Sequence, residues 1–159
     1  MNLYFLRHGE ALDGAQYPDH ERPLSRFGLE QAGAVGRWFQ EHGIRLDHVF
    51  CSPLLRARQT VEALQREAGP APVQTTDSLV SPSDPRSILL ELRVLDRENV
   101  LLVGHEPHLS KTISLLLGFD DRSRVEMKTC SLAYVATSDG PNPGNGILRW
   151  LIPSTSTLK

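Results

Sequence analysis

A chain of 159 residues has room for one domain that hides roughly two thirds of its unfolded surface, so its core needs no staples. Hydrophobic residues at 40% and charged residues at 23% exclude a disordered or fibrous chain. A net charge of −2 leaves no basic excess to neutralise nucleic-acid phosphates, and no run reaches the ~18 apolar residues of a membrane span. Nucleic acid and membrane are therefore not expected partners. The N-terminus lacks the basic region of a signal peptide, so the cytoplasm is the expected compartment. Cys51 and Cys130 lie in apolar runs and read as buried thiols, not as a disulfide framework.

Residues 2–7 read as a strand buried on both faces, which ends in Arg7-His8-Gly9-Glu10. Residues 8–24, with two prolines and many charges, read as a long loop that walls a site. Ser25 is a candidate N-cap for a helix from about Arg26 to His42. Gly28, Ala32, Val35 and Phe39 mark its buried face, and glycines at 28, 33 and 36 imply close packing against a neighbour. His48–Cys51 is a second strand, after which Ser52 reads as a cap and Pro53 as the first helical residue. Ala57, Val61, Leu64 and Ala68 form that helix's apolar stripe, and Val73–Thr75 suggests an edge strand. Asp84 caps a helix carrying Ile88, Leu92 and Leu95. Asn99–Val103 is the most apolar strand and runs into Gly104-His105-Glu106-Pro107. A further helix follows to Leu117, then a polar loop over Gly118–Arg124, then a hairpin of Ser131–Thr137 and Ile147–Ile152.

Strands alternating with helices predict an α/β fold. Three layers, α/β/α, surround a mostly parallel central sheet, with a C-terminal antiparallel hairpin. No repeat or linker divides the chain, so residues 1–159 read as a single domain.

In an open α/β sheet, ligands bind beyond the carboxyl ends of the strands. Three strand ends here carry chemistry: Arg7-His8, Ser52 to Arg56, and His105. Two arginines beside a helix N-terminus suit a dianion, because guanidinium forks match phosphate oxygens and the helix dipole adds to the potential. Neutral imidazole attacks phosphorus in line, so His8 is the candidate nucleophile. Arg7 and Arg56 would stabilise the equatorial oxygens, and His105 would donate to them, most usefully when protonated. A zinc site from two histidines and a carboxylate stays open on residue types alone. Arginines would repel the ion, however, and no His-Glu-x-x-His spacing occurs, so no metal or cofactor is expected.

Arg7-His8-Gly9-Glu10, the run from Ser52 to Thr60, and Gly104-His105-Glu106-Pro107 resemble the signature blocks of the histidine phosphatase (phosphoglycerate mutase-like) superfamily. Arg22-Pro23-Leu24-Ser25 with Gly28 and Gln31-Ala32 resembles a further block. Only about 45 residues separate Thr60 from His105, and this compactness resembles the bacterial SixA-type phosphohistidine phosphatases. The resemblance implies His8 as nucleophile, with Arg7, Arg56 and His105 as the phosphate pocket. Larger members of the superfamily insert a helical segment that often carries the general acid; this chain departs from them there, and loss of a dedicated acid fits a phosphoramidate leaving group.

Four further residues are candidates for acid–base work or the pocket wall. Glu10 either transfers a proton or orients the pocket by pairing with an arginine. Ser52 is a cap whose hydroxyl can reach the pocket. Glu106 is a weaker carboxylate, as is Asp84. Arg22 ties the long loop to the pocket or is solvated. Arg58 and Lys128 read as surface residues, and His20, His42, His48 and His108 as outside the chemistry. The expected partner is a phosphorylated protein, such as a phosphotransfer domain, or a phosphate ester. The rival readings are a small-molecule phosphomonoesterase or mutase and a catalytically silent phosphoprotein-binding module.

Overall fold

A computed structural model of the chain describes residues 1–120 and 125–154. Six strands, β1 (Asn2–Arg7), β2 (His48–Cys51), β3 (Val73–Thr75), β4 (Asn99–Gly104), β5 (Leu132–Thr137) and β6 (Gly146–Ile152), form one sheet in the order β3-β2-β4-β1-β5-β6. The first four run parallel, β5 is antiparallel to β1, and β6 is antiparallel to β5. Helices α1 (Arg26–Glu41) and α2 (Leu55–Ala68) cover one face, while α3 (Pro85–Arg93) and α4 (His108–Leu116) cover the other. The expected three-layer fold with its closing hairpin is what the chain adopts. Of the expected polar loop at Gly118–Arg124, residues 121–124 lie outside the described residues.

Strand alternation decides which side chains meet which helices. Leu3 and Phe5 of β1 pack with α3 and α4, whereas Tyr4 and Leu6 pack with α1 and α2. On β4 the same division puts Val100 and Leu102 with α3 and α4, and Leu101 and Val103 with α1 and α2. Continued past the strand ends, the period of two carries His8 and His105 to the α2 side. Arg7 falls on the opposite side. Because Arg7 pairs with Gly104 in register, His8 and His105 leave the sheet level with one another.

Two expectations shift in detail. Residues 8–24 are not wholly irregular: Ala11 bridges to Leu24, and Asp19–Glu21 makes a 3-10 turn. Helix α2 begins at Leu55 after Leu54, so Ser52 and Pro53 precede it and Ser52 is not its N-cap. The Ser52 hydroxyl instead accepts from the Leu54 N–H at 3.3 Å, a local turn that leaves it facing the strand ends.

The glycines of α1 answer to different neighbours. A Cβ on Gly28 would stand 2.0 Å from the Glu10 carbonyl oxygen, and one on Gly36 would stand 2.2 Å from that of Leu64. A Cβ on Gly33 would meet only the Arg37 guanidinium, at 3.5 Å. Chemical denaturation should therefore find Gly33→Ala more stable by up to about 1 kcal/mol, the gain in helix propensity. Gly28→Ala and Gly36→Ala should be destabilised despite the same gain, and a stable Gly28→Ala would contradict the close approach of α1 to residue 10.

Candidate active site

The main chain after β1 is held on every side. The Arg7 N–H donates to Ser131 O at 3.2 Å, the His8 N–H to Gly104 O at 3.1 Å, and the Cys130 N–H to His8 O at 3.1 Å. The Gly9 N–H donates to the Thr60 hydroxyl at 3.1 Å, and the Glu10 N–H to the Gln31 side chain at 2.9 Å. Arg7, on the far side of the sheet, donates through Nη1 to Met127 O at 3.0 Å.

His8 is 6% exposed. Its Nδ1 lies 2.7 Å from Gly9 O, which accepts only from a protonated nitrogen and so fixes the tautomer. Nε2 is left with its lone pair, 3.3 Å from the Nε–H of Arg56. Arg56 stands in the first turn of α2, buried, where Thr60 one turn later donates to its carbonyl at 2.7 Å. His105, 6% exposed, tilts toward His8 with ring centres 5.0 Å apart, and its Nε2 lies 2.7 Å from the Ser52 hydroxyl. Four of the expected residues, His8, Ser52, Arg56 and His105, thus converge, and Arg7 lies close enough for its charge to act on His8.

The other candidates fall out differently. Glu10 is exposed and pairs with none of the described arginines. Its carboxylate accepts from the Ser25 hydroxyl at 2.7 Å, because Ser25 caps α1 directly below it. Glu106 accepts from the N–H and hydroxyl of Ser110, at 3.1 and 2.7 Å, and so caps α4. Asp84 caps α3 by accepting from the Arg86 N–H at 2.8 Å. Arg22 is half-buried, and its charge opposes protonation of both His8 and Arg56. Arg58 and Lys128 are exposed. Cys51 and Cys130 are buried free thiols.

Sequence reasoning missed Asp19. Arg56 donates to its carbonyl at 2.7 Å and to its carboxylate at 3.3 Å, so the 3-10 turn of the long loop closes over the guanidinium. No pattern in residues 8–24 distinguishes Asp19 from its charged neighbours. Thr60 was findable: it sits four residues after Arg56, on the buried side of a helix whose other inward positions, Arg56 apart, are apolar. Among the described residues no group of three or more His, Cys, Asp and Glu side chains could hold a metal ion.

Burial, opposed by the Gly9 carbonyl and reinforced by Arg56, Arg7 and Arg22, lowers the His8 pKa to about 4. Burial, with His8 and Arg56 nearby, lowers that of His105 to about 3. Both rings are neutral at pH 7. That suits a nucleophile at His8. At His105, burial first and then His8 and Arg56 hold the ring neutral, and the expected protonation belongs to the state with a dianion beside it. The arrangement offers a lone pair with guanidinium and imidazole donors around one point, which is a site for attack on a phosphoryl group.

The comparisons agree with this chemistry. Residues 3–80 match the profile of the histidine phosphatase superfamily (branch 1). The phosphohistidine phosphatase SixA of Escherichia coli (strain K12) is 27% identical over 94% of this chain and 92% of its own. An uncharacterised protein of Picosynechococcus is 38% identical over 70% of each chain. The solved structure of SixA complexed with tungstate superposes with a TM-score of 0.86 at 24% identity, covering 98% of this chain and 99% of that one. The chain belongs to the histidine phosphatase superfamily and is a phosphatase.

Both histidines bind a proton less readily folded than unfolded. The unfolded chain therefore takes up more protons between pH 6.5 and about 4 for His8, and down to about 3 for His105. Stability contributed by these rings is complete above pH 6.5 and declines as pH falls through that window. Urea titrations should show that decline flattened in His8→Asn and His105→Asn. An unchanged slope in both would contradict the buried neutral rings.

Proposed function

We propose that residues 1–159 form one cytoplasmic phosphatase domain that hydrolyses phosphohistidine on proteins through a covalent phosphohistidine of its own. The observation that carries the reading is the His8 ring, locked by Gly9 O at 2.7 Å and presenting Nε2 to Arg56 at 3.3 Å. Nε2 attacks phosphorus as the substrate's P–N bond breaks, and the departing imidazole takes a proton from solvent. Water then attacks the phosphorus, the P–N bond to His8 breaks, and inorganic phosphate leaves. Arg56 and His105 hold the phosphoryl oxygens and Arg7 adds its charge to the pocket from the end of β1, with the Ser52 hydroxyl aligning His105 at 2.7 Å. Once the dianion is bound, its charge raises the His105 pKa, so that His105 can take up a proton and donate.

Leaving-group chemistry supports the phosphohistidine choice. The carboxylates near the site, Glu10, Glu106 and Asp19, are bonded to Ser25, Ser110 and Arg56. An imidazole leaving group needs less protonation than an alkoxide, so a site whose described carboxylates are all engaged elsewhere favours a phosphoramidate. The name of the SixA relative points the same way. No metal or cofactor enters the scheme.

Turnover of a phosphohistidine-bearing protein should exceed that of phosphate esters, and a clear preference for an ester would move the assignment to a small-molecule phosphomonoesterase or mutase. His8→Ala should abolish turnover and phosphoenzyme formation; retained activity would remove the nucleophile. Arg56→Ala should cost on the order of 100-fold in kcat with a smaller change in KM, since its contact strengthens as charge moves onto the oxygens. EDTA should leave the rate unchanged, whereas a loss restored by zinc would overturn the metal-free scheme.

A further inference from the structure

The Arg56 guanidinium spans the site from its floor to its mouth. Its Nε–H points at His8 Nε2, 3.3 Å away, and its two Nη groups donate to the Asp19 carbonyl and carboxylate, at 2.7 and 3.3 Å. His8 is buried, whereas the Asp19 side chain is 71% exposed. The Asp19 charge also reaches His105, where it favours the protonated ring. A carboxylate thus stands at the open rim of the pocket that Arg56, His105 and Ser52 enclose. The two bonds from Arg56 pin the 3-10 turn that carries Asp19, so the carboxylate is in position before substrate arrives. Its neighbours in the turn, His20 and Glu21, are exposed and lie 3.5 Å from each other.

In-line displacement decides where the leaving group goes. His8 attacks from the buried end, so the group expelled opposite it leaves toward solvent, past the Nη end of the guanidinium, where Asp19 stands. A carboxylate beside a phosphoryl dianion is unfavourable, because like charges repel. An ester oxygen leaving past it offers nothing in return. A phosphorylated imidazole does: its second ring nitrogen, when protonated, makes the ring a cation with one N–H to donate. Arg56 takes one of the roughly four acceptor positions of the carboxylate, which leaves room for that N–H. Protonation there also decides how well the ring leaves. Without it, the P–N electron pair returns to an imidazolate, a strong base. With it, the pair returns to the nitrogen that carried phosphorus, the second nitrogen keeps its proton, and neutral imidazole departs. An unperturbed imidazole titrates at about pH 6.5, so a facing carboxylate changes the protonated fraction at neutral pH.

We propose that Asp19 selects the leaving group: its carboxylate accepts the N–H of the second ring nitrogen of a phosphohistidine and holds that ring protonated, which favours phosphorylated imidazoles over phosphate esters. The inference rests on the phosphohistidine reading above and names the residue that carries the selection. The proton that the reaction takes from solvent is on the ring before the P–N bond breaks, and Asp19 stays ionised throughout.

The test compares kcat/KM on phosphoimidazole with that on para-nitrophenyl phosphate, whose leaving group has no N–H. Asp19→Asn keeps the main-chain carbonyl that Arg56 uses and removes the charge. It should lose about tenfold on phosphoimidazole, the effect of one hydrogen bond between charged partners. On the ester it should stay within about twofold or rise. Asp13→Asn, at an exposed acid of the same loop whose carboxylate accepts from the Ala15 N–H, should change neither. Equal losses on both substrates would make Asp19 a prop for Arg56 and overturn the assignment, as would an undiminished rate on phosphoimidazole. In either case the phosphohistidine reading would stand. Wild-type preference for the ester over phosphoimidazole and a phosphohistidine-bearing protein alike would overturn that reading and the role of Asp19 together.

Discussion

The clamp on residues 7–10 is the constraint from which the site follows. A strand end in solvent would leave its amides to water and its side chains to several rotamers. Here β4 takes the amide of His8, the turn before β5 donates to its carbonyl, α2 takes that of Gly9 through Thr60, and α1 takes that of Glu10 through Gln31. Four separate elements agree on the position of one short peptide. The Gly9 carbonyl that orients the His8 ring is itself fixed by this agreement, so the nucleophile's tautomer is a property of the whole fold. Such second-layer support keeps a reacting group within the few tenths of an ångström that productive geometry needs.

The same clamp explains a strained feature elsewhere. Cys130 has φ of 55°, a left-handed conformation that only a few per cent of non-glycine residues adopt. Its N–H reaches His8 O, and its neighbour Ser131 takes the Arg7 N–H. Met127, at the start of this segment, takes the Arg7 guanidinium. The segment leading into β5 thus holds both residues of the Arg7-His8 pair, Arg7 at Met127 and Ser131 and His8 at Cys130. Backbone strain placed against a reacting residue is compensated by the surrounding packing. Cys130 is fully buried, which is where such compensation is available.

The sheet and much of the site were legible because they rest on short-range rules. Period-two alternation in β1 and β4, the Ser25 and Asp84 caps, and the stripe on α2 each depend on residues a few positions apart. The convergence of His8, Arg56 and His105 follows from strand ends sharing one edge of the sheet. The misreadings have the opposite character. Ser52 followed by Pro53 has the local chemistry of a helix start, yet the helix waits for Leu55 because the Ser52 hydroxyl lies 2.7 Å from His105, more than fifty residues away in sequence. Charge alone left Glu10 between proton transfer and an arginine pair, whereas Ser25 reaches it through the packing of Gly28 on the residue 10 backbone. Asp19 meets Arg56 across a loop whose path no periodicity records.

Charge placement ties these pieces together. Arg7, Arg22 and Arg56 act on His8 with the same sign, and Asp19 is the carboxylate that meets Arg56. Cations gathered around buried neutral imidazoles are unfavourable for the folded protein and favourable for an incoming dianion, which is the usual exchange of stability for function at a binding site. The Asp19 carboxylate is 71% exposed and so only weakly stabilises Arg56, whose guanidinium is 7% exposed. A phosphoryl group arriving at that guanidinium meets a partner already desolvated and already aimed by the Asp19 carbonyl. The loop that closes over Arg56 therefore prepares the cation for phosphate while holding it in place. In the proposed reaction, the clamped strand end supplies the nucleophile, and Arg56, held by the loop over it, supplies the cation that meets the phosphoryl oxygens.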